Sequence, residues 1–410
     1  MPLKGCFLLI LMRRYFRIGF SFFIYSIIPI SIWFVLSLVT GNREVANVFS
    51  ITYSIQFIVA ILTGLFASGA NIRKEKTKDA NAANSSMLWG IIFASIIFSL
   101  LLIFSDNYIA FFGLDVEFYR IFVRYSIILF FEQALISFMV ERLYFEDKEK
   151  EANLILILFN AINFLILIPL VAITQNILIS TIITLSTLFV FVIVLYVKNF
   201  QKFKINFKFY KNFRYDSANI ISNLAMLIIY FFGFKIAFSA GPEYLLALNI
   251  VGLSTDAQWD SLEAIRTIAK VDISKDRFNY TKELKNSQLF TFVVILSTIL
   301  MSFTLGLINS ANLWLIAAYL AFQVFDMAIT PFIKIISVKV QIDYSPVLNT
   351  ALQLSLKVIR TLISIIIISP YCTDIGQVVS EAVLFIALII IRFTKFKFKK
   401  GNLVLKNKKI

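Results

Sequence analysis

At 410 residues, 59 % of them hydrophobic and 15 % charged, the chain is far from a soluble globular composition, in which about a quarter of residues are charged. Its formal net charge of +15 gathers in short connectors between apolar runs, which argues against a nucleic-acid partner and suits cytoplasmic loops facing anionic lipid. With no histidine, and with only Cys6 and Cys372 at opposite ends of the chain, proton handling falls to carboxylates, and neither a disulfide framework nor a metal-ligand spacing is present.

Apolar runs of about 20 residues are long enough to cross a bilayer as helices, and they recur along the whole chain. The class is an all-α membrane protein with many spans. The first run, 7–12, is too short for a cleavable leader and is followed by Arg13, Arg14 and Arg17, so it reads as an interfacial approach to the first span. Twelve spans are predicted, at 17–40, 46–72, 86–105, 116–141, 152–174, 177–198, 217–240, 243–270, 286–308, 311–338, 346–369 and 374–394. Basic residues follow the even-numbered ones: Arg73, Lys74, Lys76 and Lys78; Lys148 and Lys150; Lys198 through Arg214; Lys275, Arg277, Lys282 and Lys285; and Lys395 through Lys409. The positive-inside rule then puts both termini in the cytoplasm. A Phe, Ile, Lys and Asn bias suits an AT-rich bacterial genome, so the expected location is a bacterial cytoplasmic membrane.

The longest connector falls after six spans and invites a search for a repeat. Span 4 contains "FEQALISF" at 131–138 and span 10 contains "FDMAITPF" at 325–332. In this register Phe131, Ala134 and Phe138 match Phe325, Ala328 and Phe332, and Glu132 faces Asp326. The ends of spans 2 and 8 both run into polar loops. The predicted organisation is an N-terminal six-helix bundle over 1–198, a basic cytoplasmic linker over 199–216, a C-terminal six-helix bundle over 217–394 and a basic cytoplasmic tail over 395–410.

Several charges fall inside predicted spans, where an Asp costs about 2.5–3.5 kcal/mol and so turns toward a protein interior or a wet cavity. Asp256, Asp260 and Glu263 recur at i, i+4 and i+7 and share one helical stripe. At about 1.5 Å per residue, Asp256 lies about 20 Å into span 8, and Asp326 lies at a similar depth in span 10. Glu263 falls near the cytoplasmic face, with Arg266 or Lys270 as expected partner. Pro331 lacks the N–H that would bond the Met327 carbonyl; that freed oxygen beside Asp326 makes the pair candidate ligands for Na⁺ or a proton-linked water. The alternative is a structural kink with Asp326 bonded to a neighbour. Asp326, Asp256, Asp260 and Glu132 are therefore the coupling-ion candidates. Lys357, Arg360 and Arg124 are candidates for a cavity that takes an anionic group, with salt bridges or snorkelling as the other reading. Lys235 and Lys334, near span ends, are expected to snorkel.

With "AGPEYLLALNIVG…SLEAIRTIAKVDISKD" around spans 7–8, "GLFASGANIRKEKTKDANAAN" after span 2 and "FQVFDMAITPFIKIISVKVQ" in span 10, the chain resembles the multidrug and toxic compound extrusion (MATE) transporters. The resemblance extends to the wider superfamily that also holds polysaccharide and lipid-linked oligosaccharide flippases. It implies two six-helix bundles with alternating access to a central cleft, and it places Asp326 where the family's span 10 carries an acidic residue for the coupling cation. MATE-like packing would also turn Asp256 inward, to share one ion site with Asp326. Two departures stand out: residues 17–40 hold no carboxylate, and 217–240 offer only Lys235.

There is no Walker loop, no dinucleotide fingerprint and no metal-ligand cluster in the sequence. The expected function is a secondary active exporter, an ion-coupled antiporter of a small amphiphilic substrate, with a flippase for a lipid-linked oligosaccharide or polysaccharide precursor as the alternative. No cofactor is expected beyond Na⁺ or H⁺ as coupling ion. The expected partners are membrane lipid and the substrate, and the expected state is a monomer. An enzyme is disfavoured, because the outward loops are too short to build a catalytic face.

Overall fold

The computed structural model describes residues 3–79, 81–199, 207–237, 242–308, 310–366 and 371–406. In chain order its helices are α1 (Leu3–Thr40), α2 (Asn47–Thr63), α3 (Gly69–Thr77), α4 (Asn81–Ile103), α5 (Ser105–Phe111), α6 (Val116–Phe145), α7 (Glu149–Thr174) and α8 (Ile177–Lys198). After them come α9 (Phe213–Ala237), α10 (Pro242–Ser261), α11 (Glu263–Ser274), α12 (Tyr280–Ile308), α13 (Leu313–Lys339), α14 (Pro346–Ile366) and α15 (Cys372–Lys395). Two π-helical stretches, Gly64–Ser68 and Val340–Tyr344, extend α2 and α13.

Among the described residues, nine helices are long and apolar enough to cross a membrane, and the chain is an all-α, multi-pass membrane protein. The helices holding Asp256 and Asp260, or Lys357 and Arg360, are not among the nine. Side-chain caps start α6, α8 and α13: Asp115 accepts from the Glu117 N–H, Asn176 from Ile179 and Asn312 from Trp314, at 3.0 to 3.1 Å. Each satisfies an N–H that the first helical turn leaves without a partner.

The chain divides into two compact units, Ile24–Tyr230, and Phe231–Ile410 together with Met1–Phe23. In the first, α6 is the central helix, with 72 % of its apolar window buried against 28 % for α8. Burial on that scale leaves α6 little lipid-facing surface. Trp33 meets the rings of Phe122 and Tyr125 edge-on at 6.1 and 5.9 Å. The turn after α2 is held by backbone proximity: a Cβ on Gly69 would lie 2.6 Å from the carbonyl oxygen of Asn212. Arg73 closes the same corner, donating to the Lys208 carbonyl at 2.9 Å and pairing with Asp79 at 2.8 Å. The second half of the expected basic linker is thus a packed 3₁₀ turn, Lys208–Asn212, while 200–206 lie outside the described residues.

In the second unit α13 is central, with α10, α11, α12 and α15 against it. Ala247, Ile250 and Val251 of α10 form a buried apolar cluster with Ile316, Tyr319 and Leu320 of α13. Arg14 forks onto both oxygens of Asp272 at 2.6 and 3.3 Å, and Arg277 reaches the same carboxylate at 2.7 Å.

The predicted span 8 comprises α10, ending at Ser261, and α11, beginning at Glu263, and Leu262 between them keeps right-handed helical conformation. The basic tail holds a hairpin, in which β1 (Phe396–Lys399) and β2 (Asn402–Leu405) pair antiparallel, Phe396 opposite Leu405. Its reason is alternation: Phe396 and Leu403 are buried, whereas Lys397 and Lys399 face out, as strand periodicity allows.

Candidate functional site

A helix enclosed by several neighbours can carry polar side chains only where those neighbours complete their hydrogen bonds. Gln323 and Asp326 lie one turn apart on α13. On α15, Asp374, Gln377 and Glu381 recur at i, i+3 and i+7, and on α14 Lys357 and Arg360 are three residues apart, so each set shares a helical face.

These faces meet. Gln377 donates its side-chain amide to Asp326 and accepts from Arg360 Nη2 at 2.9 Å. Lys357 Nζ lies 3.5 Å from Glu381 Oε1. One turn further along α13, Gln323 donates to Asp374 at 2.9 Å and accepts from Trp259 Nε1 at 2.9 Å. Asp326 is 2 % exposed, Arg360 4 % and Lys357 7 %, while Gln377 and Glu381 are partly exposed. One atom stands out: Asp326 Oδ1 is enclosed with no hydrogen-bond partner among the described residues. That acceptor lies beside two cations and a second carboxylate.

Around the adjoining turn, Thr330 donates its hydroxyl to the Asp326 carbonyl at 2.8 Å. Pro331 lies inside α13 and supplies no N–H to the Met327 carbonyl, as the sequence implies. Met327 itself is fully buried.

The other predicted residues are placed as follows. Among the charged groups around Asp326 are Glu381, Arg360 and Lys357, and the polar face of α15 brings a carboxylate and an amide to it. Asp256 and Asp260 are half-buried on α10. Glu263 pairs with Arg266 at 3.5 Å, as expected, and also with Lys334 at 2.7 Å. Lys334 therefore does not snorkel; it is buried because α11 brings a carboxylate to it. Lys235 lies outside the described side chains. Arg124 is half-exposed and pairs with Asp106 at 3.4 Å while donating to Ser105 at 3.0 Å.

Glu132 is 1 % exposed, and its Oε2 is also enclosed without a partner among the described residues. Neighbouring α6 side chains line a small cavity within the first unit, Tyr125 and Gln133 together with Thr52, Gln56 and Trp33. Tyr125 donates to Asn163 of α7. Gln323, Asp374, Gln377 and Glu381 were not predicted from the sequence. The i, i+3, i+7 spacing on α15 is the signal that could have found three of them.

No protein-family model matches the sequence, and no curated protein matches it. Solved structures do. A MATE transporter in complex with MaD3S superposes with a TM-score of 0.70 at 17 % identity, over 93 % of this chain and 96 % of the other. An outward-facing multidrug resistance MATE family transporter of the MOP superfamily gives 0.65 at 17 %, over 93 % and 94 %. A MOP superfamily transporter from Pyrococcus furiosus, described as having a binding pocket of reverse polarity that suggests a different function, gives 0.70 at 15 %, over 93 % and 95 %. Across nearly its whole length, the chain has the fold of the MATE transporters of the MOP superfamily.

Proposed function

We propose that this protein is a secondary active exporter, an ion-coupled antiporter that moves an amphiphilic substrate out of the cytoplasm or the inner leaflet of a bacterial cytoplasmic membrane, with both termini cytoplasmic. The observation that carries this reading is the buried Asp326 carboxylate with one unpartnered oxygen, set in a membrane-spanning helix of a chain with the MATE fold.

The chemistry follows from charge balance. With both carboxylates ionised, Asp326 and Glu381 balance Lys357 and Arg360. A proton or Na⁺ arriving at Asp326 adds one positive charge to that group. Holding an unbalanced charge in such surroundings costs several kcal/mol, so ion arrival favours any arrangement that relieves the imbalance. That differential stability links the ion to a conformational change. Na⁺, if it is the ion, would be held by the Asp326 carboxylate and the Met327 carbonyl. The protein works as a monomer in lipid and needs no cofactor.

The test is transport by the full chain reconstituted in vesicles, with a fluorescent amphiphilic cation as reporter and an imposed H⁺ or Na⁺ gradient. Transport that follows one gradient and collapses with it supports the reading. Transport indifferent to both ions overturns it.

A second reading, a flippase for a lipid-linked oligosaccharide or polysaccharide precursor, is favoured by one observation. Lys357 and Arg360 are both buried one turn apart, a spacing that suits an anionic phosphate group. Under this reading Lys357→Gln abolishes flipping of a diphosphate-linked lipid while expression is kept; full activity in both Lys357→Gln and Arg360→Gln removes its support.

A further inference from the structure

The C-terminal hairpin is a built, basic surface that the transport reading leaves unused. Its sequence over 395–406, KFKFKKGNLVLK, carries five lysines and one arginine just before it (Arg392) with no acidic residue. The two-residue loop has positive φ at both Lys400 (49°) and Gly401 (78°), the conformation that matches the twist of a tight hairpin.

Rigid docking holds this hairpin in place. Thr281 donates both its N–H and its hydroxyl to the Gly401 carbonyl, each at 3.2 Å. The Lys406 N–H closes the ladder onto the Lys395 carbonyl at 3.0 Å. Phe396 lies 6.0 Å from the ring of Tyr344. The Arg392 guanidinium lies over the rings of Tyr280 and Phe398, 5.4 and 5.0 Å from their centroids, and those rings are 5.8 Å apart. Phe396 and Leu403 are buried, so the opposite face of the ribbon is fixed outward.

That outward face presents Lys397 and Lys399, with Lys400 at the tip and Lys282 beside Thr281, all exposed. No ion pair among the described residues engages Lys397, Lys399 or Lys400. The hairpin also begins at the residue where the apolar span Asp374–Lys395 ends, so it stands at the level of lipid headgroups, and half-exposed Phe398 marks the boundary. Clusters of four or more lysines immediately beside a transmembrane helix attract anionic headgroups.

We propose that the docked hairpin is a binding surface for anionic phospholipid, with Lys397, Lys399 and Lys400 contacting the headgroup phosphates. It holds lipid at the edge formed by α12, α13 and α15.

The full chain in detergent is titrated with phosphatidylglycerol or phosphatidylcholine, and bound lipid is counted by native mass spectrometry. The expected result is a preference for phosphatidylglycerol that about 0.5 M NaCl removes. It falls about fivefold per lysine in a Lys397→Gln, Lys399→Gln, Lys400→Gln triple variant, and it persists in the corresponding Lys→Arg triple. A preference unchanged in the Gln triple overturns the proposal. Loss in both triples also overturns it, since charge is then not the determinant. Displacement of the lipid by millimolar inorganic phosphate overturns it in favour of a free-anion site.

Discussion

Glu132 and Asp326 occupy the same position in two matching eight-residue stretches, and each is buried with one carboxylate oxygen unpartnered. Their surroundings differ. Asp326 has Gln377, Arg360, Lys357 and Glu381 around it, whereas no salt bridge among the described residues includes Glu132. Both stretches carry an acid at this position, but among the described residues it is Asp326, on α13, that has cations beside it to balance it. This is why the ion-coupling proposal centres on Asp326.

The Glu263–Lys334 pair gives a stability prediction. Glu263→Gln leaves Lys334 buried without its 2.7 Å partner, and should cost about 2–3 kcal/mol, below the range for a fully buried pair because Glu263 is partly exposed. Adding Lys334→Met should restore most of that loss. Thermal unfolding in detergent, followed by near-UV circular dichroism, measures both variants; a double variant no more stable than Glu263→Gln would contradict the ion-pair account.

Gly69 tests the corner after α2. Its missing Cβ leaves room for the Asn212 carbonyl, so Gly69→Ala should destabilise the protein by about 1–3 kcal/mol through forced backbone displacement. Gly252, where a Cβ would meet nothing within 4 Å, is the control position, and Gly252→Ala should cost far less.

Orientation is tested by labelling. In a background with Cys6 and Cys372 replaced by Ser, Lys150→Cys and Lys406→Cys should resist an impermeant thiol reagent in intact cells, and Glu243→Cys should react. Labelling of Lys406→Cys from outside would reverse the proposed orientation.

Much of the fold was legible because a bilayer imposes one strong rule: each crossing needs a long apolar run. The predicted 177–198 coincides with α8, and 311–338 differs from α13 by two residues at its start and one at its end. What was not legible depended on tertiary partners. Nothing local marks the boundary between α10 and α11 at Leu262, where neither Gly nor Pro occurs. Lys334 looked like a span-end lysine free to reach water, and only α11 supplies the carboxylate that keeps it buried. The partners of Arg124, Ser105 and Asp106, come from the neighbouring α5 and are not legible from α6 alone. For the hairpin, the alternation FKFK and the Lys400–Gly401 turn are the local signals within the basic tail. At the site, acids and bases were found by their cost in lipid, while Gln323 and Gln377, uncharged and unremarkable in sequence, carry the hydrogen bonds that join them.

The central claim is that Asp326 receives the coupling ion, and its most direct test is gradient-driven transport by Asp326→Asn in proteoliposomes, beside the wild type and Glu132→Gln. The Asn side chain keeps the shape and can still hydrogen-bond Gln377, but it carries no charge and binds no proton near neutral pH. The account predicts that Asp326→Asn folds and inserts but melts below the wild type, because the group then carries an unbalanced positive charge, and that it no longer follows the imposed H⁺ or Na⁺ gradient, while Glu132→Gln retains at least part of that response. Transport in Asp326→Asn vesicles that still tracks the gradient at wild-type rate would contradict it.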